Sequence, residues 1–195
     1  MMKYLIGILL FSILASCGGS GASAPAATPS DLTGFMAEKI SGTSAELASK
    51  KDAAGLIVEK GIIRDGKKDG IFMTYHPNGR IKTIGSYVND QLNGVYLELS
   101  DREQVESKSN YLNGALHGPY ATYKFGRPTL EINYENGVQE GPFNEYSDRG
   151  KLSKTGTFKN GKIHGTMKFF DDEENLTMEF EYENGEKVSG GIVEK

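Results

Sequence analysis

The chain has 195 residues and a mass of 21.2 kDa, with 25 glycines, ten Tyr, nine Phe, no Trp and a single Cys. Glycine stands near twice its usual ~7 %, while 25 % charged and 37 % hydrophobic residues fit an ordinary folded body and not a polytopic membrane protein. One cysteine excludes a disulfide scaffold and a zinc finger, and a net charge of −4 argues against a nucleic-acid partner, which calls for a basic stripe.

Met1-Met2-Lys3 gives a short basic start, and residues 4–15 form an almost unbroken apolar run. A membrane-spanning helix needs about 20 such residues, so residues 1–16 read as a signal peptide. The run ends in Leu14-Ala15-Ser16-Cys17, which resembles the bacterial lipobox. The resemblance implies cleavage between Ser16 and Cys17 and lipidation of Cys17 with acyl chains such as palmitate. The membrane is then a partner through a lipid anchor, and the odd cysteine of an exported chain is accounted for. The alternative is a plain secretory signal with a cysteine near its cut. The expected location is the bacterial cell envelope; Gly18 in place of Asp after the cysteine points toward the outer membrane.

Residues 17–30 are expected to be the lipidated cysteine and a flexible linker, uncharged and without large side chains, spanning roughly 20 Å. In residues 31–55, Leu32, Phe35, Met36 and Ile40 recur near helical spacing after Ser30 or Asp31, and Ser44 is placed to cap a second turn through Lys51. The spacing predicts a short helical cap or linker, with a membrane-proximal amphipathic segment as the other reading.

From residue 56 to 195 the chain repeats itself. Ile63, Tyr87, Tyr111, Tyr134, Phe158 and Tyr182 each open a segment such as Tyr111-Leu-Asn-Gly-Ala-Leu-His-Gly118, at spacings of 24, 24, 23, 24 and 24 residues. About six copies therefore hold phase. In each, an aromatic ends a strand and Asn-Gly supplies a tight turn. A second glycine starts a β-prone segment such as Pro119-Tyr120-Ala121-Thr122-Tyr123, and another turn returns the chain. Two strands per unit predict 10 to 12 antiparallel strands in a sheet about 50 Å long.

The pattern aromatic-x-Asn-Gly-x-x-x-Gly-x-aromatic-x-x-aromatic resembles the bacterial variant of the MORN repeat, over about residues 58–193. The resemblance implies an all-β fold, a single-layer twisted antiparallel meander of hairpins used as a binding or scaffolding platform. It also brings the antitoxin or immunity label such proteins often carry. Phe72, Tyr96, Tyr120, Phe143 and Met167 stand where the family often has Trp, and Asp90 replaces one turn glycine.

No catalytic or metal constellation emerges, and no cofactor is expected. His117 and His164 share one repeat position two units apart, roughly 19 Å. His76 belongs to the opposite turn, and Asp171-Asp172-Glu173-Glu174 lacks the alternating ligands of a calcium loop. Two aromatic columns remain. Tyr75, Tyr123, Tyr146 and Phe170 are the candidate binding aromatics; Tyr87, Tyr111, Tyr134, Phe158 and Tyr182 form the other column. Rings in such columns either present a ligand groove or pack on one another across strands, and bulges hide which column faces outward. The expected function is a non-enzymatic protein-interaction or scaffolding module anchored in the envelope. An antitoxin or immunity protein and a glycan- or lipid-binding module are the alternatives, and homo-oligomerisation through a sheet edge stays open.

Overall fold

In the computed structural model the described residues are 31–193. Ser16, Cys17 and the signal and linker segments lie outside them. The described chain forms one open antiparallel sheet of 16 strands. The first eight are β1 (Phe35–Lys39), β2 (Ala45–Lys51), β3 (Ile57–Arg64), β4 (Lys67–Tyr75), β5 (Ile81–Val88), β6 (Gln91–Leu99), β7 (Val105–Leu112) and β8 (Ala115–Leu116). The rest are β9 (Gly118–Lys124), β10 (Arg127–Glu135), β11 (Val138–Tyr146), β12 (Leu152–Lys159), β13 (Lys162–Ile163), β14 (Gly165–Phe170), β15 (Leu176–Glu183) and β16 (Glu186–Ile192). Strands follow one another in chain order; the two-residue β8 and β13 are the broken starts of β9 and β14. The path is therefore about 60 Å from edge to edge at ~4.8 Å per strand, longer than the repeat count suggested.

The difference lies in residues 31–55, where the expected helical cap is absent. They fold as the β1–β2 hairpin and carry a further, worn copy of the repeat. Ser41-Gly42 stands 24 residues before Asp65-Gly66, and Gly42 takes a φ of 77° where Gly66 takes 72°. Asp52 to Leu56 closes the same loop as His76 to Arg80, with the Asp52 amide donating to the Leu56 carbonyl at 2.9 Å. Ala48 occupies the place of Phe72. Helical spacing of four apolar residues lost to strand pairing because β3 offers an unpaired edge that only a strand can satisfy.

The tight turns are as the Asn-Gly signal requires. In Asp65-Gly66, Asn89-Asp90, Asn113-Gly114, Asn136-Gly137, Asn160-Gly161 and Asn184-Gly185 both residues have positive φ, from 49° to 90°, the twist-matched type I′ geometry. Five of these six turns also dock on the hairpin before them. The amides of Asp90, Gly114, Gly137, Gly161 and Gly185 donate to the carbonyls of Lys68, Leu92, Leu116, Gln139 and Ile163 at 2.7 to 2.9 Å.

The second glycine does not open its strand in three units: β4, β6 and β11 begin three residues before Gly70, Gly94 and Gly141. These glycines sit in wide bulges with φ of 120°, 107° and 81°, where three residues face one across the ladder, as Asn93 to Val95 face Ser86. A bulge of two extra residues preserves alternation, so the faces of the sheet are readable along its whole length.

One face holds the core. Across the strands run Ala48, Gly61, Phe72, Gly85, Tyr96, Ser109, Tyr120, Ile132, Phe143 and Gly156, in register. From Gly61 to Tyr120 large rings thus alternate with small residues, while Ile132, between Tyr120 and Phe143, breaks the alternation. The anchor column stands beside them: Phe72–Tyr87, Tyr96–Tyr111, Tyr120–Tyr134 and Phe143–Phe158 have ring centroids 4.8 to 6.0 Å apart, three of the four pairs edge-on. Phe72, Ile132, Phe143 and Met167 are buried. The Tyr87, Tyr111, Tyr134, Phe158 and Tyr182 column is therefore packing material. Lysine stems cover some of the rings, Lys68 Nζ lying 4.6 Å from the centre of Phe72 and Lys187 Nζ 3.8 Å from that of Phe180.

Candidate binding face

The opposite face is built from the residues alternate to the core. Phe72 and Tyr75 lie three apart on an unbroken strand, so their side chains point to opposite sides. Tyr120 and Tyr123, Phe143 and Tyr146, and Met167 and Phe170 repeat the relation. All four candidate binding aromatics therefore share the face without the core. Each meets an aliphatic residue across a one-residue bulge: Tyr75 pairs Ile81, Tyr123 pairs Pro128, Tyr146 pairs Leu152 and Phe170 pairs Leu176. Leu99 and Val105 supply the missing pair between them. The bulge also turns Leu176 to this side, away from Met178 and Phe180.

The four rings form a half-buried ridge without ring-to-ring contact, unlike the core column. Tyr123 and Tyr146 are two strands apart, about 10 Å, and Tyr75 and Phe170 lie farther out on either side. Tyr146 donates from its hydroxyl to Glu131 at 2.6 Å. Burial, then the hydrogen bond and charge of Glu131, raise its phenol above the ordinary value.

A second row on this face was not singled out from sequence. Ile71, Val95, Pro119 and Pro142 each follow the bulge glycine at the repeat period, and all four are exposed, Ile71 at 48 % and Val95 at 43 %. The signal was the residue after each second glycine, apolar in four successive copies. Between the row and the ridge lie two adjoining hollows. One of about 410 Å³ is lined by Leu97, Val105, Tyr123 and Phe125, among others. The other, of about 310 Å³, is lined by Glu131, Asn133, Asn144 and the two prolines. Lys108 and Tyr123 border both.

The histidines serve turns. His76 donates from Nε2 to the Leu99 carbonyl at 2.8 Å. His117 Nδ1 accepts from the Asn136 amide at 3.4 Å, as Glu140 accepts from the Asn160 amide at 2.7 Å one unit on. His164 Nδ1 is buried without a hydrogen-bond partner among the described residues. Asp171 closes an Asx turn by accepting from the amides of Glu173 and Asn175, and Asp172 pairs with Arg149 at 2.7 Å. Among the described residues no three His, Cys, Asp or Glu side chains gather in a way that could hold a metal ion.

The model of the family described as the MORN repeat variant matches residues 68–89 and 139–160. Each match starts two residues after the glycine of a tight turn and runs through the ring strand and its return to the Asn of the next turn. The two are three units apart in the same phase, so the family model matches two copies of the chain's own repeat. No curated protein matches the chain in sequence. Among solved structures, a mutant of S. aureus TarM in complex with fondaparinux, alpha-GlcNAc-glycerol and UDP aligns with a TM-score of 0.32 and 10 % identity, over 68 % of this chain and 21 % of that one. The crystal structure of TarM gives 0.30 and 12 %, over 67 % and 22 %. The chain spans about a fifth of the length of those structures.

Proposed function

We propose that this protein is a non-enzymatic protein-interaction module, held at the membrane of the cell envelope by a lipid on Cys17, and that it binds its partner through the face opposite the core. One observation carries the choice of face. Its half-buried rings and its exposed Ile71, Val95, Pro119 and Pro142 row leave two lines of apolar surface along one side of the sheet, with polar groups such as Lys108, Glu131 and Asn144 between them, whereas the rings of the other face are taken up in packing with one another and with glycine. Extended exposed apolar surface of this kind marks interaction sites. A regular platform built by repetition gives a partner many equivalent purchase points.

The test is a tagged pull-down from detergent-solubilised envelopes of the native chain, Cys17→Ala, and a double variant Ile71→Glu, Val95→Glu. The reading expects one stoichiometric protein, reduced with Cys17→Ala and lost with the double variant. A partner that is a toxin bound one-to-one would make the module an immunity protein. A partner retained by the double variant would place binding elsewhere. Recovery of glycan or lipid with no protein would overturn the reading.

A further inference from the structure

The 23-residue unit departs from the others at one place. Where five other units close their second turn with a five-residue loop whose fourth residue is left-handed (Gly55, Gly79, Glu103, Gly150 and Glu174), the chain between β9 and β10 is one residue shorter. It turns on Phe125-Gly126 with φ of 52° and 76°. A bulky aromatic in the left-handed region is a backbone outlier, and outliers of this sort cluster at functional sites. Phe125 gains no burial in exchange, being 77 % exposed, and Asn fills the same conformation in five of the tight turns of this chain. The ring stands at the mouth of the larger hollow, beside Tyr123, Leu97 and Val105.

Lys108 is the second feature of the site. Lys68, Lys154 and Lys168 each meet a glutamate, but the cross-strand neighbours of Lys108 are Leu97 and Ala121. Its ammonium makes no ion pair or hydrogen bond with any described residue. It therefore stands exposed where an apolar hollow meets a polar one, in which Glu131 and Asn144 face each other across β10 and β11.

We propose that the two hollows together hold an extended peptide segment of the protein partner, about six residues long, that carries one apolar side chain and one carboxylate. This rests on the interaction-face reading above and specifies the partner's chemistry. The apolar side chain enters between Phe125, Tyr123 and Val105; the carboxylate reaches Lys108; main-chain amides and carbonyls of the segment meet Glu131 and Asn144. From β6 to β11 the hollows cross five strands, about 19 Å, which an extended chain covers in roughly six residues. Lys108 is the one cation lining the two hollows, and in a chain of net charge −4 it suits one carboxylate and disfavours a polyanion such as nucleic acid or an anionic bilayer.

The experiment overlays the full chain on an array of hexapeptides in which Leu or Phe and Glu or Asp occupy each pair of positions among Gly and Ser, beside copies with Gln or Asn for the acid. Capture by a subset of the acidic peptides is expected, at least tenfold above their amide copies. Lys108→Gln should remove that tenfold preference. Phe125→Gly should weaken capture at least fivefold with no fall in unfolding midpoint. Both side chains are exposed, so the variants keep the fold. Capture indifferent to the acid, or unchanged by Lys108→Gln, overturns the proposal. So does binding to a glycan array with none to peptides. If the native partner of the pull-down is lost with Ile71→Glu, Val95→Glu but kept by Lys108→Gln and Phe125→Gly, the face stands and the peptide hollow falls.

Discussion

Gly61 faces Phe72 across the β3–β4 ladder, and a methyl group on Gly61 would stand 2.4 Å from the carbons of that ring. The same relation recurs at Gly156, where the methyl would be 2.8 Å from Phe143, and at Gly85, 2.9 Å from Tyr96. None of these three glycines has a left-handed φ, so the requirement is space alone. In a single-layer sheet no second layer exists to bury a ring. The ring is covered instead by a neighbouring strand, and at these three positions only glycine leaves it room.

Gly61→Ala is therefore expected to destabilise the protein by about 2–3 kcal/mol, the upper range for overpacking a filled core, and Gly156→Ala by slightly less. Gly191→Ala, on the edge strand with no atom within 4 Å of the new methyl and no left-handed φ, should change stability by under about 0.5 kcal/mol. Denaturant midpoints at constant slope would measure all three. Equal losses at positions 61 and 191 would mean that ring-over-glycine packing is not what holds the sheet.

Met167 faces Phe180, so the last unit exchanges the two sizes: the flexible side chain takes the ring position and the ring takes the glycine position. This accounts for Met167 standing where Phe72, Tyr96, Tyr120 and Phe143 place a ring. Met167→Phe alone should overpack by about 1–3 kcal/mol, and Phe180→Gly alone should cost about 2 kcal/mol or more through lost burial. The double variant restores the arrangement of the earlier units. A favourable coupling of about 1 kcal/mol or more in the double-mutant cycle is expected; simple additivity would contradict it.

Asp90 has a φ of 71° at a turn position where the other tight turns carry glycine, and its carboxylate accepts from the Lys68 amide at 2.7 Å. The bond offsets the strain. Asp90→Ala keeps the strain and removes the acceptor, so a loss of about 1–3 kcal/mol is expected. Asp90→Gly removes both and should lie within about 1 kcal/mol of the native protein. Thermal unfolding would separate them, and an alanine variant no worse than glycine would remove the carboxylate from the account.

Much of this fold was legible because turn chemistry is local. Asn-Gly at a fixed period forces positive φ and hence hairpins, and hairpins in series leave an antiparallel meander as the simplest outcome. The unit at residues 31–55 was missed because Ala48 replaces its ring and Ser41-Gly42 its Asn-Gly, leaving a helical coincidence as the louder signal. Which aromatic column packs was hidden for another reason. Face assignment depends on whether each bulge adds one residue or two, and the Tyr75–Ile81 bulge adds one while that at Gly94 spans two. Composition does not encode that difference, nor the left-handed φ of Phe125.

Phe125→Asn is expected to raise stability by about 0.5–1 kcal/mol. Asn tolerates the left-handed region that strains Phe, and little burial is lost from a side chain so exposed. Retention of a residue that weakens the fold is what a binding role predicts. A clear loss of stability in Phe125→Asn would show instead that the ring supports the hollow it borders.

Burial pushes the Tyr87 phenol up to about 12, with the charges of Tyr96 and Glu59 adding to it. Tyr96 and Tyr120 are raised for the same leading cause. A tyrosine in the unfolded chain ionises near pH 10, so between about pH 10 and 12 the unfolded state binds fewer protons than the folded one. Stability must then fall as pH rises. It is fully present below about pH 10 and is lost progressively up to about pH 12. Because Tyr87 is partly solvent-exposed, its own share is discounted to about 1–2 kcal/mol. Tyrosinate absorbance should show a group of phenols titrating late, and denaturant midpoints should drop over the same interval. Tyr87→Phe should flatten that drop while keeping the ring contact with Phe72. An unchanged slope in Tyr87→Phe would assign the alkaline loss to other groups.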